Sequence, residues 1–261
     1  MAIITLTTDL GYKDSYLASV KATIFNEIED INIIDISNSI EPFNIQQAAF
    51  VLKNCISDFP NGTVHIIGVD DELSLENEHL AVYANNQFFL AADNGIFSLL
   101  FDTIQPDMIV ELNLSQKSDS LTFATKNVLV TAACHIARGG TLEIIGKQIK
   151  DFRVKRSELK PVLEKDTIRG TVIYIDNYGN AVTNITKEFF NKSRKSRDFV
   201  ILFGRENEKI TRICSNYNEV PIPDKLALFG NNNLLHIAIN QGRASNLLGL
   251  QFHDIIRIEF K

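Results

Sequence analysis

Apolar residues along this chain follow two rhythms. In the first half, short β-branched runs alternate with stretches where apolar residues recur every three or four positions, the repeats of strand and helix in turn. Ile3, Ile4 and Leu6 form the first run, and Tyr16, Leu17, Val20, Ile24 and Phe25 recur at helical spacing from Ser15 onward. Residues 31–36 read as a second strand, in a sheet covered on both faces, because only Asn32 and Asp35 interrupt an apolar run. A helix over 44–54 follows Pro42, with Ile45, Ala48, Ala49 and Leu52 on one face and Asn44 as its N-cap. The turn cluster 58–62 leads into a buried strand over 64–69 that ends on Asp70. Beyond an acidic loop, 80–83 and 88–91 read as a hairpin around Asn85-Asn86, 96–101 as a short helix and 108–112 as a strand. Residues 126–138 read as a buried helix closed by Gly139-Gly140.

Past that point helical spacing gives way to short strands. They are predicted over 168–176, 199–203, 209–213, 225–229, 234–239 and 254–260, with short helices only at 188–190 and 243–248. The fold class expected is α/β. An N-terminal α/β sandwich-like domain spans 1–145, a polar linker 146–166, and a smaller C-terminal β-barrel-like domain 167–261. The linker carries a basic cluster over 147–156, which reads as a solvated connection before it reads as a phosphate contact.

Composition narrows the function classes. With 261 residues, 45% of them hydrophobic, the chain has enough apolar material for a substantial core. Its net charge of −6 offers no general attraction to nucleic acid or to an anionic membrane, so neither is expected as a partner. No apolar run is long enough to span a bilayer and no signal-peptide pattern opens the chain, so a cytoplasmic location is expected. Cys55, Cys134 and Cys214 lack metal-ligand spacing and read as reduced, buried thiols; no metal site is predicted.

Candidate chemistry lies at two strand ends and one turn. In an open α/β sheet ligands bind beyond the carboxyl ends of the strands, where Thr8, Asp9, Leu10 and Gly11 fall. Asp9 has the chemistry to accept two hydrogen bonds from a vicinal diol, and Asp9 or Asp14 equally suits the cap of the following helix. On this stretch alone the cap takes precedence. His65, within its strand, reads as a core or edge histidine, and Asp93-Asn94-Gly95 as a sharp turn before a helix. The stretch 170–185 is the most specific in the chain. There Asn180 offers a donor and an acceptor in one plane, as a purine edge requires, and Tyr178 offers a stacking face. Tyr-Gly-Asn is also an ordinary hairpin turn.

In their order and spacing, Thr8-Asp9-Leu10-Gly11, the stretch 35–49, Val69-Asp70, Asp93-Asn94-Gly95, Thr122-Phe123, 175–185 and 230–242 resemble the S-adenosylmethionine hydroxide adenosyltransferase family, with its related chlorinases and fluorinases. The resemblance spans nearly the whole chain. It implies a homotrimer that holds an adenosyl ligand between one subunit's N-terminal domain and its neighbour's C-terminal domain. The same resemblance implies attack of water or halide on the adenosyl C5′ with departure of methionine, S-adenosylmethionine as substrate and no cofactor. By motif match Asp9 holds the ribose diol, Asp176 the methionine portion, Tyr178 the adenine face and Asn180 its edge, while Asn231 stands where a serine helps bind the methionine end.

Asp70 matches the catalytic aspartate of the family's hydrolases. Their arginine and histidine positions fall on Asn77 and Ala124, and the loop reads Asp71-Glu72-Leu73-Ser74 where the family has proline and glycines. His79, Lys126 and His135 are the residues at hand to substitute. Strand alternation points His79 to solvent, Lys126 reads as a solvated side chain at a helix start, and His135 as a buried structural histidine. The expected function is a hydrolase converting S-adenosylmethionine and water to adenosine and methionine with an altered triad. The alternative is a non-catalytic adenosyl-binding protein. Halogenation ranks third, since Asp71 and Glu72 beside Asp70 would repel an anion.

Overall fold

A computed structural model describes residues 2–72, 77–101, 104–113, 122–155, 160–204 and 208–261. The chain divides into two compact units, Met1–Ser157 and Glu158–Lys261.

The first unit contains β1 (Ala2–Thr8), α1 (Tyr16–Glu27), β2 (Ile31–Ser37), α2 (Ile45–Lys53), β3 (Val64–Gly68), β4 (His79–Ala84), β5 (Gln87–Ala92), α3 (Ile96–Leu100), β6 (Met108–Leu112), α4 (Val130–Ala137), α5 (Leu142–Ile145) and β7 (Gly146–Ile149). Its strands form one sheet in the order β2-β1-β3-β5-β4-β6-β7. β2, β1, β3 and β5 run parallel, and β4, β6 and β7 join by antiparallel pairing. Alternation along the strands divides their side chains between two covered faces. Ile4, Leu6, Ile66 and Leu90 pack with Leu17, Val20 and Ile24 of α1 and with α4. Ile67, Leu80, Val82 and Phe89 pack with Ala48, Ala49 and Leu52 of α2 and with α3. Asn85 and Asn86 both have positive φ (51° and 59°), which the two-residue hairpin between β4 and β5 requires.

Two expectations are corrected here. β2 is the edge of the sheet and is largely exposed, with Lys21 paired to Asp35 at 2.6 Å on its outside. Its apolar content resembles that of a central strand, but an edge position removes one neighbour and much of the cover. The stretch read as a linker is structured at both ends. β7 pairs with β6, and β8 (Val162–Glu164) pairs with β9 (Thr167–Ile175) of the second unit. Polar residues suit such margins because one side of the strand faces water.

The second unit continues with β10 (Ala181–Thr186), α6 (Lys187–Arg194), β11 (Phe199–Phe203), β12 (Glu208–Ile210), β13 (Ile213–Cys214), β14 (Lys225–Phe229), β15 (Leu234–Ile239), α7 (Ala244–Leu247) and β16 (Ile255–Phe260). They form a second sheet, β12-β11-β16-β9-β10-β15-β14-β13, over a core that includes Ile168, Val172, Ile185, Phe190, Ile201, Ile237 and Ile258. The whole is a mixed α/β protein with two large sheets. β10 was absent from the strands expected by pattern, because its buried polar residues Thr183 and Asn184 hide the alternation. Among the described residues no helix is long and apolar enough to cross a membrane, and no cluster of metal-binding residues occurs.

Candidate active site

β1 and β3 lie side by side, with Thr8 opposite Gly68, so the residues that follow each strand emerge together at the carboxyl edge of the sheet. Asp9 leaves β1 with its N–H donating to the Gly68 carbonyl at 3.3 Å. Its carboxylate accepts the Phe43 N–H at 2.9 Å. The N-cap of α1 is Ser15, without a side-chain cap bond, so the reading of Asp9 or Asp14 as that cap is corrected and Asp9 is placed for other work. Thr8 donates to Asn38 Oδ1 at 2.8 Å, and Asn38 Nδ2 to the Tyr12 hydroxyl at 3.4 Å, which fixes the floor beside Asp9. Burial raises the Asp9 pKa above its ordinary 3.8; the Phe43 N–H opposes this and the charge of Asp71 adds to it.

Beyond β3 the chain turns through Val69, Asp70 and Asp71. Asp70 has φ +52°, a left-handed conformation costing a residue with a side chain on the order of 1–2 kcal/mol. Asn94 holds it there, its Nδ2 donating to the carbonyls of Val69 (3.0 Å) and Asp70 (2.9 Å) while its Oδ1 accepts the Ile96 N–H at 3.1 Å. The Asp93-Asn94-Gly95 triplet is therefore a structural clamp as well as a turn, and Gly95 adopts φ +100° to make it. Gly68 is needed for a different reason: a Cβ there would lie 2.1 Å from Thr125 Oγ1. Thr125 begins a π-helical segment, Thr125–Leu129, ahead of α4, and its hydroxyl donates to the Asp71 carboxylate.

The substitute residues fall differently from expectation. His79 is 2% exposed rather than solvent-facing, because β4 lies inside the sheet between β5 and β6 and both its faces are covered. Its Nε2–H donates to the Asp71 carbonyl at 2.8 Å, its Nδ1 has no partner, and burial lowers its pKa. Ala124 is 2% exposed and brings no ionisable group. Lys126 lies half-buried in the π-helical segment. His135 is half-buried with Nε2 donating to the Thr141 carbonyl at 3.0 Å, and so is structural. Asn77 receives a hydrogen bond at 3.1 Å from Nη1 of Arg153, whose own N–H meets both oxygens of Asp93 at 2.8 and 3.0 Å. Arg153, Asn94, Thr125 and Asn38 were not among the candidate site residues. Arg153 stands 76 positions from Asn77 in a polar stretch, and no local pattern announces such a contact.

In the second unit, Asp176, Tyr178 and Asn180 share one tight turn after β9. Asp176 accepts the Asn180 N–H and Nδ2–H, each at 2.8 Å, and the Asn180 amide also donates to the Tyr217 hydroxyl at 3.4 Å. Asn180 is 3% exposed, whereas Tyr178 is 76% exposed and presents its ring to solvent. Arg243 Nη1 donates to the Asn177 carbonyl at 2.9 Å and steadies the same turn. Asn231 is exposed in the turn between β14 and β15, one residue from Asn232, whose Oδ1 lies 3.3 Å from His236 Nε2. Asp9 and Asp70 thus meet in one unit, and Asp176, Tyr178 and Asn180 in the other.

Comparison with known proteins matches both halves of the chain. Residues 4–146 match the family model described as the SAM hydroxide adenosyltransferase N-terminal domain, and residues 170–257 that of its C-terminal domain. A protein of Methanocaldococcus jannaschii named (R)-S-adenosyl-L-methionine hydrolase is 28% identical over 98% of this chain and 95% of its own length. One of the same name from Thermus thermophilus is 26% identical over 94% of each. A fluorinase of Nocardia brasiliensis is 24% identical over 73% of each chain. Among solved structures, a conserved protein of Thermotoga maritima superposes with a TM-score of 0.88 at 29% identity, covering 99% of both chains.

Proposed function

Because the chain belongs to the S-adenosylmethionine hydroxide adenosyltransferase family, we propose that it is an enzyme that hydrolyses S-adenosylmethionine to adenosine and methionine. Its relatives of near-equal length carry the hydrolase name. The observation that carries the reading is the meeting of Asp9 and Asp70 beyond adjacent strands, with Asp9 released from any helix cap. In this reading the ionised Asp9 accepts both hydroxyls of the ribose, and Asp70 orients a water toward C5′. The new bond joins the water oxygen to C5′ as the C5′–S bond breaks. Its electron pair passes to the sulfonium sulfur, giving the neutral thioether of methionine, and the water proton is released through Asp70 to solvent. The sulfonium is already a good leaving group, so the enzyme's task is mainly alignment and exclusion of competing water.

In the second unit, Tyr178 is assigned to the adenine face, Asn180 to its edge, and Asp176 with Asn231 to the methionine end. The Asn180 amide nitrogen is engaged by Asp176 and Tyr217, so its oxygen is the group assigned to the adenine amino group. Asn77 and Ala124 remove the arginine and histidine implied by the resemblance, and loss of a single stabilising group costs about 10²–10³ in rate, so slow turnover is expected. The same reading includes no cofactor, a homotrimer, a cytoplasmic location and a second unit that closes as a small barrel. The free thiols Cys55, Cys134 and Cys214 accord with a reducing compartment, and light scattering of the purified protein tests the trimer.

The second reading is an adenosyl-binding protein without turnover, favoured by the buried, chemically inert Ala124. A single-turnover experiment separates the two. With protein in excess over S-adenosylmethionine, chromatography detects adenosine and methionine from the wild type and their loss in Asp70→Ala. Intact ligand after hours, with binding retained, sinks the hydrolase. A 5′-halogenated adenosine formed only with added chloride or fluoride would move the chain to the halogenases.

A further inference from the structure

The loop that leaves β3 at Asp70 returns to β4 through Asn77, and hydrogen bonds join its two ends across the sheet edge. Asn94 grips the carbonyls of Val69 and Asp70 at the outgoing end. The adjacent Asp93 takes the N–H of Arg153 on its carboxylate, while its own N–H donates to the Glu78 carbonyl at 2.7 Å. Arg153 Nη1 then reaches Asn77 Oδ1 at the returning end. These contacts run from Asp70 through Asn94 and Asp93 to Arg153 and Asn77.

The segment that brings Arg153 is itself fastened. Phe152 packs on Phe97 and Phe101 at ring-centroid distances of 5.8 and 6.4 Å. The Lys155 N–H donates to Ser98 Oγ at 2.8 Å, and a Cβ on Gly95 would lie 2.6 Å from the Lys155 Cβ. Backbone and ring contacts on both sides of Arg153 therefore set where its guanidinium begins. The group it serves needs such support, since Asp70 is held at a left-handed φ that persists only where the surroundings over-determine it.

We infer that Arg153 is a positioning residue for the hydrolytic reaction, acting through Asp93 and its neighbour Asn94, and through Asn77, to hold Asp70 where it leaves β3. The inference rests on the hydrolase reading above. It assigns a role to a stretch that by sequence is only a basic connection, and it places a cation at the loop's base from outside the loop. Arg153 makes no contact with the reacting atoms in this account; its effect is on the placement of Asp70.

Single-turnover rates and steady-state kinetics of Arg153→Ala, Arg153→Lys, Asn77→Ala and Arg153→Ala/Asn77→Ala, beside the wild type, test it. A displacement of about 1 Å at a reacting group costs on the order of 10²-fold, so Arg153→Ala is expected to lower kcat by roughly 10- to 100-fold with KM changed less than about threefold. Arg153→Lys recovers part of the loss. Adding Asn77→Ala to Arg153→Ala costs little more, because the contact it removes is already lost. Thermal unfolding of each variant shows whether the fold is kept. Turnover of Arg153→Ala within about twofold of wild type overturns the inference and leaves the hydrolase reading standing. So does a rise in KM alone, a loss that Arg153→Lys does not relieve, or losses at Arg153 and Asn77 that simply add. A wild type that forms no adenosine overturns both.

Discussion

His65 sits on β3 with its side chain fully buried, stacked on Phe89 at a centroid distance of 4.8 Å and edge-on to Phe59 at 5.5 Å. Its protonation is set by its neighbours. Gln87 Nε2 donates to the carbonyls of Ile56 (3.1 Å) and Phe59 (2.8 Å), which leaves Gln87 Oε1 to accept from His65 Nε2 at 3.3 Å. His65 Nδ1 is then the acceptor for the Thr5 hydroxyl at 2.7 Å, and the ring is neutral. Burial pushes its pKa from 6.5 down to about 4, with the Gln87 bond opposing. The unfolded chain therefore binds the proton that the folded chain refuses. Stability is complete above about pH 6.5 and is lost as pH falls toward 4, by about 3 kcal/mol over the whole window and about 2 kcal/mol by pH 5. Urea denaturation at pH 8 and pH 5, in wild type and in His65→Gln, isolates this contribution as the difference between the two pH dependences. The variant retains a donor and an acceptor but does not titrate, so it should lose about 2 kcal/mol less than wild type between those pH values. Equal losses in the two proteins would refute the assignment of a buried, neutral imidazole.

Asp9→Asn should weaken adenosine binding by calorimetry at pH 7.5 by about 10- to 100-fold, the worth of a charge-assisted hydrogen bond. Wild-type binding should fade on acidification at a pH above the ordinary carboxylate value of 3.8, because Asp9 binds the diol only when ionised and burial raises its pKa. Gly68→Ala should lower stability by about 1–3 kcal/mol through the clash with Thr125, and Thr125→Ala in the same protein should restore part of it, as read from chemical denaturation. Cys55 and Cys134 are each pushed up to about 11, chiefly by burial, so native protein at pH 8 should resist thiol alkylation that proceeds readily in denaturant. Reaction of Cys55 at the rate of a free thiol would contradict that environment.

Local chemistry made much of the first unit legible. Alternation and three- to four-residue spacing place β1, α1, α2, β3 and the Asn85-Asn86 hairpin, since each depends on neighbours a few positions away. Asn44 is the N-cap of α2, with its Oδ1 accepting the Gln47 N–H at 3.0 Å. That β1 and β3 each end on an acid was legible too, whereas their lying side by side came from the sheet order. β10 and His79 were misread because burial of a polar side chain follows from what covers it, and the covering elements come from elsewhere in the chain.

The chain's sequence by itself determined the strand-and-helix rhythm, its change to short strands in the second half, and the presence of Asp9, Asp70, Asp176, Tyr178 and Asn180 at turns that can carry chemistry. All of these are set by periodicity and by residue types within a few positions. Only the tertiary structure decided that β2 lies at an edge, that His79 is enclosed with its Nε2 on the Asp71 carbonyl, and that Arg153 reaches Asn77. Sheet order and side-chain partners across 76 residues are properties of packing, in which many weak contacts choose among arrangements that the local pattern leaves equal.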